Sequence, residues 1–439
     1  MQLWQPSIPD RYHGLSPAEL ASRIHARKAQ LGSDLIILGH HYQQDQVIAF
    51  ADFTGDSFKL SQLAAERVKQ DGAKYVVFCG VHFMAETADI LTEPDVAVLL
   101  PDLSAGCSMA DMADYEQVVD AWEQLGEVLG GGRDGETGRD EETERRRDRV
   151  GEAGENTSSL RDFVSPSLDA FRVVPICYMN STAAIKAFCG EHGGAVCTSS
   201  NADKVIAWAL AGGETPLAEG ERVKVLFIPD QHLGRNTAAA AGFDVERDMC
   251  VWDPTRDLGG NDEQALIDST FLLWKGHCSV HKLFRPEHVD EIREQWPDVT
   301  VMVHPECAYE VCEKADLTGS TEGIIQTLEA AEPGSRWAVG TEVHLVDRVC
   351  RAARERGVEA RILSQCQCLC TTMYRIDLPH LLWVLDGLAE GKVLNQITVH
   401  PEARRLALLS LERMLRITGA PPLGEDRPAA APDAVGRSA

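Results

Sequence analysis

Short runs of consecutive apolar residues alternate along this chain with longer stretches in which apolar positions recur every third or fourth residue, and polar residues crowd where each short run ends. Leu35-Ile36-Ile37-Leu38 is the first such run. It is too short for a helix and apolar throughout, which predicts a strand buried on both faces. It stops at Gly39-His40-His41-Tyr42-Gln43. Ahead of it, Ser16-Pro17-Ala18-Glu19 is a capping box with proline at the first helical position, so a helix starts there. A helix rich in Leu, Ala and Lys is predicted over 57–70. Strands over 75–79 and 96–100 follow, the first running into Gly80-Val81-His82-Phe83-Met84 and the second leading to Cys107.

The same plan recurs twice more. In the second round, 173–177 runs into Tyr178-Met179-Asn180-Ser181, 196–197 into Thr198-Ser199-Ser200-Asn201, and 223–228 into Pro229-Asp230-Gln231-His232, before a close at His277-Cys278-Ser279-Val280-His281. In the third, 299–303 runs into His304-Pro305-Glu306-Cys307 and 337–339 into Gly340-Thr341-Glu342, with a close at Cys366-Gln367-Cys368-Leu369-Cys370. Strands alternating with helices predict α/β structure with parallel sheets. The expected division is a first α/β domain over 1–126, a polar insertion and lead-in over 127–170, a second domain over 171–280, a third with C-terminal helices over 281–418, and a disordered tail over 419–439. The insertion has almost no apolar content with which to offset its ordering entropy. In parallel sheets functional groups gather at the carboxyl ends of strands, so three such edges facing one another would bring cysteines and a ring of polar side chains into one cavity.

Composition narrows the picture. The 439 residues are 44% hydrophobic and 25% charged, enough to bury several cores. A net charge of −26 argues against a nucleic-acid or anionic-membrane partner, which needs a basic footprint. No window approaches a membrane span and the start lacks a secretory pattern, so a cytoplasmic location is expected. Thirteen cysteines in a long, helix-patterned chain point to buried thiols, metal ligands or nucleophiles rather than to a disulfide scaffold. Most of them, including Cys79, Cys177, Cys189, Cys197, Cys312 and Cys350, read as core or surface filler.

Cys366-x-Cys368-x-Cys370 is the densest thiol group, and by itself it fits a zinc site, a redox pair or one end of an iron–sulfur site. Zinc would want a second Cys or His pair, and a thioredoxin-type motif wants a longer spacing. His13, His25, His192 and His400 read as structural or surface residues. His40, His281 and His304 sit beside strand ends or a closing cysteine, among other polar groups. The turn at Thr318-Gly319-Ser320-Thr321 could cradle an anionic oxygen.

Taken in order, these strings resemble the quinolinate synthase A family from about Leu35 to about Leu385. The resemblance rests on Gly39-His40-His41-Tyr42-Gln43, Ala51-Asp52-Phe53-Thr54-Gly55-Asp56-Ser57, Phe83-Met84-Ala85-Glu86-Thr87-Ala88, Tyr178-Met179-Asn180, Thr198-Ser199-Ser200-Asn201, Gly276-His277-Cys278-Ser279-Val280-His281, His304-Pro305-Glu306, Gly340-Thr341-Glu342-Val343 and Cys370-Thr371-Thr372-Met373. It implies three similar αβα layers with short parallel sheets about a pseudo-threefold axis. One [4Fe–4S] cluster per chain lies at the centre, held by Cys107, Cys278 and Cys370 with one iron left open. It further implies condensation of iminoaspartate with dihydroxyacetone phosphate to quinolinate, phosphate and water for NAD synthesis. An aspartate-oxidising enzyme would transiently supply the iminoaspartate. His40, Ser57, Tyr178, Asn180, Ser199, His281, His304, Glu306, Ser320 and Thr321 are the implied substrate contacts, and Tyr42, Tyr178 and Glu306 the acid–base candidates. The chain departs from the family pattern in its polar insertion, in a longer stretch over 246–274, and in Cys366 and Cys368, which could be spectators, redox regulators or alternative ligands. Cys250 and Cys307 have no assigned role. An iron–sulfur or thiol redox sensor, or a [4Fe–4S] hydro-lyase acting on another hydroxy acid, would use the same cysteines.

Overall fold

The computed structural model describes residues 5–130, 171–365 and 368–420. The polar run over 131–170, the tail beyond 420 and Cys366 lie outside the described residues. Fourteen strands form three short sheets. Strands β1 (Leu35–His40), β2 (Phe53–Gly55), β3 (Tyr75–Cys79) and β4 (Ala97–Leu99) belong to the first. Strands β5 (Phe171–Tyr178), β6 (Ala195–Cys197), β7 (Arg222–Ile228), β8 (Met249–Trp252) and β9 (Phe271–Trp274) form the second, and β10 (Thr300–Val303), β11 (Leu317–Thr318), β12 (Arg336–Gly340) and β13 (Glu359–Ile362) the third. The last strand, β14 (Gln396–Ile397), returns to the edge of the first sheet. The orders are β14-β4-β3-β1-β2, β6-β5-β7-β9-β8 and β11-β10-β12-β13. Every pairing is parallel except β14 on β4.

The apolar runs explain the strands. All six residues of β1 are buried, as expected of a strand covered on both faces. Gly39 is needed there because a Cβ would come within 2.9 Å of both Ala51 and Ile48. The helix Pro17–Leu31 starts with the predicted capping box, Ser16 Oγ accepting from Glu19 N–H and Glu19 accepting from Ser16 N–H at 2.9 Å. The helix Ser57–Asp71 buries Leu60, Ala64 and Val68 at intervals of four, on one face. It ends at Gly72, whose φ of 68° lies in the left-handed region.

Two of the following findings differ from the sequence reading, and the second of the three fills in a stretch noted there only for its length. The helix Tyr115–Gly130 runs past 127, where the polar insertion was expected to begin, because Leu129 still packs into the core. Within 246–274, β8 and β9 form one edge of the second sheet and bury Trp252 and Trp274. Finally, the C-terminal helices leave the third sheet: Leu378–Ala389 packs on Pro17–Leu31, and Pro401–Thr418 on Ala183–Glu191. Arg27 Nε donates to Asp386 at 2.6 Å across the first contact, and Arg413 Nη1 to the Gly190 and Gly194 carbonyls at 2.8 Å across the second. These contacts tie the ends of the chain to its first two sheets. Further bonds join the sheets themselves. Trp274 Nε1 donates to Met112 O at 2.7 Å, and Asn236 Nδ2 to the Pro305 and Cys307 carbonyls at 2.8 Å.

Candidate active site

The carboxyl ends of β1, β5 and β10 deliver His40, Tyr178 and His304 to one cavity. Its wall also holds Tyr42, Ser57, Asn180, Ser199, His281, Glu306, Thr321 and all three cysteines Cys107, Cys278 and Cys370. Ser320 is the exception among the residues singled out from the sequence. Its hydroxyl caps the helix Thr321–Glu329, accepting from Gly323 N–H at 3.2 Å. Cys368 is buried and is likewise not part of this wall. His192 packs on Phe188 and His400 caps the helix Pro401–Thr418, both in structural roles.

Glu306 is the electrostatic centre. Burial alone would raise its carboxyl, but the His281 and His304 rings, with hydrogen bonds from His281 and Tyr178, outweigh this and bring its pKa to about 2. His281 Nδ1 lies 2.8 Å from Glu306 Oε2, and the His281 and His304 rings stack at 4.4 Å. Burial, then the neighbouring His281, lowers His304 to about 3. Its Nδ1 accepts from Glu306 N–H at 3.3 Å, which leaves the ring proton on Nε2. His40 is arranged alike. Its Nδ1 accepts from Tyr42 N–H at 3.1 Å, and burial followed by His41 and Arg348 pushes its pKa well down. Burial and the Glu306 charge push the phenols of Tyr42 and Tyr178 well above 10. At neutral pH the cavity therefore presents one carboxylate, two neutral imidazoles with Nε2–H groups, and two protonated phenols.

The three cysteines share a local design. A 3₁₀ turn begins three residues after each of them: Ala110–Met112 after Cys107, His281–Leu283 after Cys278, and Met373–Arg375 after Cys370. In each, the carbonyl of the cysteine accepts from the N–H four residues on at 3.0 Å: from Asp111, Lys282 and Tyr374. Backbone N–H groups of these turns favour the charged form of each sulfur: those of Ala110 and Met109 at Cys107, of His281 at Cys278, and of Met373 and Thr372 at Cys370. Gly276 makes the second turn possible, since a Cβ there would lie 2.1 Å from Pro229 O. Two buried capping carboxylates brace the loops. Asp230 Oδ1 accepts from His232 and Leu233 N–H at 2.7 and 2.8 Å in the strand-to-helix turn beside Cys278, and Glu342 Oε1 accepts from Cys370 N–H at 3.4 Å. Both carboxylates, together with Thr341, escaped the sequence reading as site residues. An acidic residue at a strand-to-helix junction is a recognisable cap signal, but it does not say what else the carboxylate holds.

This donor set fits a metal group. Burial lifts the Cys107 thiol to about 12 and also raises Cys278 and Cys370, and each is raised further by acidic groups around it. Three thiolates in one cavity therefore need a cationic group between them, and N–H···S bonds are how proteins stabilise sulfur ligands of iron–sulfur clusters. Among the described residues, Cys278, His281 and Glu306 also bring ligand atoms within 4.8 Å of one another, so a metal can be held there.

A parallel α/β scaffold that gathers three cysteines and a buried carboxylate–imidazole cluster in one cavity is the arrangement of an enzyme able to hold a metal group. The model of the quinolinate synthetase A protein family matches residues 22–416. A quinolinate synthase of Acidobacterium capsulatum is 49% identical over 410 residues, spanning 93% of this chain and 96% of the relative. Those of a Nocardioides species and of Streptomyces coelicolor are 49% and 48% identical, spanning 92% of this chain and 91% and 89% of their own. The chain belongs to the quinolinate synthetase A family, and with it to the enzymes that make quinolinate in NAD biosynthesis. The family binds an iron–sulfur cluster. No helix among the described residues is long and apolar enough to cross a membrane.

Proposed function

We propose that the cavity condenses iminoaspartate with dihydroxyacetone phosphate, releasing phosphate and water and forming quinolinate, with a [4Fe–4S] cluster held by Cys107, Cys278 and Cys370. The observation that carries the ligand set is the turn common to these three cysteines, with its 3.0 Å carbonyl contact, at the wall of one cavity. When bound, the cluster supplies a Lewis-acidic iron with no protein ligand, suited to a substrate hydroxyl or carboxylate.

The remaining work falls to side chains. The substrates bring two carboxylates and a phosphate, and the wall offers matching donors. These are the Nε2–H groups of His40 and His304 and the hydroxyls of Ser57, Ser199 and Thr321. Glu306 is the group able to take a proton, Tyr178 donates to it and can return one, and Tyr42 serves a second proton transfer from the opposite side. Asn180 orients an intermediate, and the His281–Glu306 pair holds the base in place. Ser320 stays a proposed substrate contact, since its hydroxyl only accepts in the cap and keeps its proton for an anion.

The three sheets support three αβα layers about a pseudo-threefold axis, each giving one cysteine, with the first reaching Gly130 and the C-terminal helices packed on the first two. A reducing, cytoplasmic setting suits the cluster. Iminoaspartate hydrolyses readily in water, which favours direct supply by an aspartate-oxidising enzyme. The test is an anaerobic assay of the cluster-loaded protein with iminoaspartate and dihydroxyacetone phosphate. Quinolinate and phosphate should appear in equal amounts. A cluster-loaded chain that makes no quinolinate, while a curated relative does so in the same mixture, would overturn the assignment.

A further inference from the structure

Tyr42 stands on the loop that leaves β1, and a side chain from another sheet grips this loop. Arg348 belongs to the helix Val343–Glu355, which follows β12 of the third sheet. Its guanidinium donates to the carbonyls of His41 and Gln43, the residues on either side of Tyr42, the latter at 2.8 Å. It also donates to Asp45 Oδ1 at 2.9 Å, while Arg351 of the same helix donates to Asp45 Oδ2 at 2.6 Å. Gln44 Nε2 reaches the Tyr374 carbonyl at 3.2 Å, in the turn that follows Cys370.

The backbone holds this loop only through its N–H groups. His41 N–H donates to Gly55 O at 3.2 Å, Tyr42 N–H to His40 Nδ1 at 3.1 Å and Gln43 N–H to His40 O at 2.9 Å. Neither the His41 nor the Gln43 carbonyl accepts from a backbone N–H among the described residues. Arg348 is their partner, and a carbonyl sheltered from water needs one. A guanidinium suits the task, because its planar fork of five donors serves several acceptors at once, whereas an ammonium is a point charge on a flexible stem. The Arg348 side chain is 21% exposed against 54% for Arg351, so its bonds are the less screened of the two.

We propose that Arg348 is a positioning residue for the reaction: reaching across from the third sheet, it pins the backbone on both sides of Tyr42 and so fixes where the phenol stands in the cavity. Arg348 is not part of the cavity wall and acts through the loop it holds. A reacting group displaced by about 1 Å can cost about 10²-fold in rate, and a loop released from the fork is free to shift by that much. Arg351 grips Asp45 alone, so its loss leaves both carbonyls held.

The inference rests on the reading of Tyr42 as an acid–base group and is tested beside it. Arg348→Met, Arg348→Lys and Arg351→Met are made, the first also in a Tyr42→Phe background. Iron content, KM, kcat and the hydrogen exchange of the segment 41–45 are measured without oxygen. Arg348→Met should keep its iron and both KM values while kcat falls about 10–100-fold. Exchange in 41–45 should quicken while the strands keep their protection. Arg348→Lys should recover only part of kcat, and Arg351→Met should match the wild type in both measurements. Added to the residual turnover of Tyr42→Phe, Arg348→Met should cost little more, because the group it positions is gone. A normal kcat or unchanged exchange in both Arg348 variants, a cost that falls on KM, or costs that simply add in the double variant would overturn the proposal. A wild-type protein that forms no quinolinate overturns the functional reading instead, and the exchange of 41–45 still decides whether Arg348 holds the loop.

Discussion

Replacing Glu306 by glutamine removes one charge and almost no volume from the centre of the cavity. In the native protein the carboxylate accepts from His281 Nδ1 at 2.8 Å and from the Tyr178 phenol, and its pKa falls from 4.5 to about 2 despite complete burial. At about 1.4 kcal/mol for each step of one in pKa, that fall corresponds to roughly 3 kcal/mol of net interaction favouring the charged form. An amide can accept one of the two bonds through its oxygen, but its NH₂ group then faces a donor. Glutamine cannot take up the proton, and losing a general acid–base group typically costs about 10²–10⁴-fold in kcat. The assay is anaerobic turnover by chromatographic detection of quinolinate, with iron and sulfide content measured on the same samples. The expected variant carries a full cluster and turns over at least about a hundredfold more slowly. A variant with a full cluster and nearly normal kcat would refute the reasoning. The depressed pKa also has a sign for stability. It contributes stability above pH 4.5 that is lost as the pH falls towards about 2, and Glu306→Gln should flatten that acid limb.

Cys107→Ala, Cys278→Ala and Cys370→Ala, purified without oxygen, should each bind little iron, whereas Cys368→Ala should keep the cluster; iron, sulfide and Mössbauer measurements decide, and a Cys370→Ala protein that keeps its cluster would show the last ligand to be misassigned. Gly276→Ala would put a methyl 2.1 Å from Pro229 O, so a loss of about 1–3 kcal/mol is expected, visible as a lower Tm, with reduced iron retention. His304, buried and lowered to about 3, refuses a proton that the unfolded chain accepts below about 6.5. Stability should therefore fall with pH from about 6.5 downward by up to about 1.4 kcal/mol per pH unit, and urea midpoints at pH 7 and 5.5 should lie closer together in His304→Gln than in the wild type.

Much of this architecture is written locally. Runs such as 35–38 and 75–79 can only be strands buried on two faces, and Ser16-Pro17-Ala18-Glu19 can only open a helix, because these outcomes depend on residues a few positions apart. Polar residues at the ends of such strands were legible as a site for the same reason. The rigid apolar bodies fix where the ends point, and His40, Tyr178 and His304 do meet there. What the sequence leaves open is decided by contacts between residues far apart in the chain. Nothing local distinguishes Ser320 from Thr321, yet one hydroxyl closes a helix cap and the other faces the cavity. Glu342 looks like a cap and is one, but only the folded chain brings Cys370 N–H to its other oxygen. Thr341 stands in a strand-end motif, but nothing local says what its hydroxyl meets: Tyr42, some three hundred residues away, and His281 arrive on either side of it. The strand β14 likewise has no identity until the edge of β4 offers it a partner. The order of apolar and polar residues determined the elements and the edge at which chemistry gathers, whereas the partner of each polar atom was decided by tertiary packing, since a buried donor or acceptor takes its role from whatever lies within about 3 Å of it.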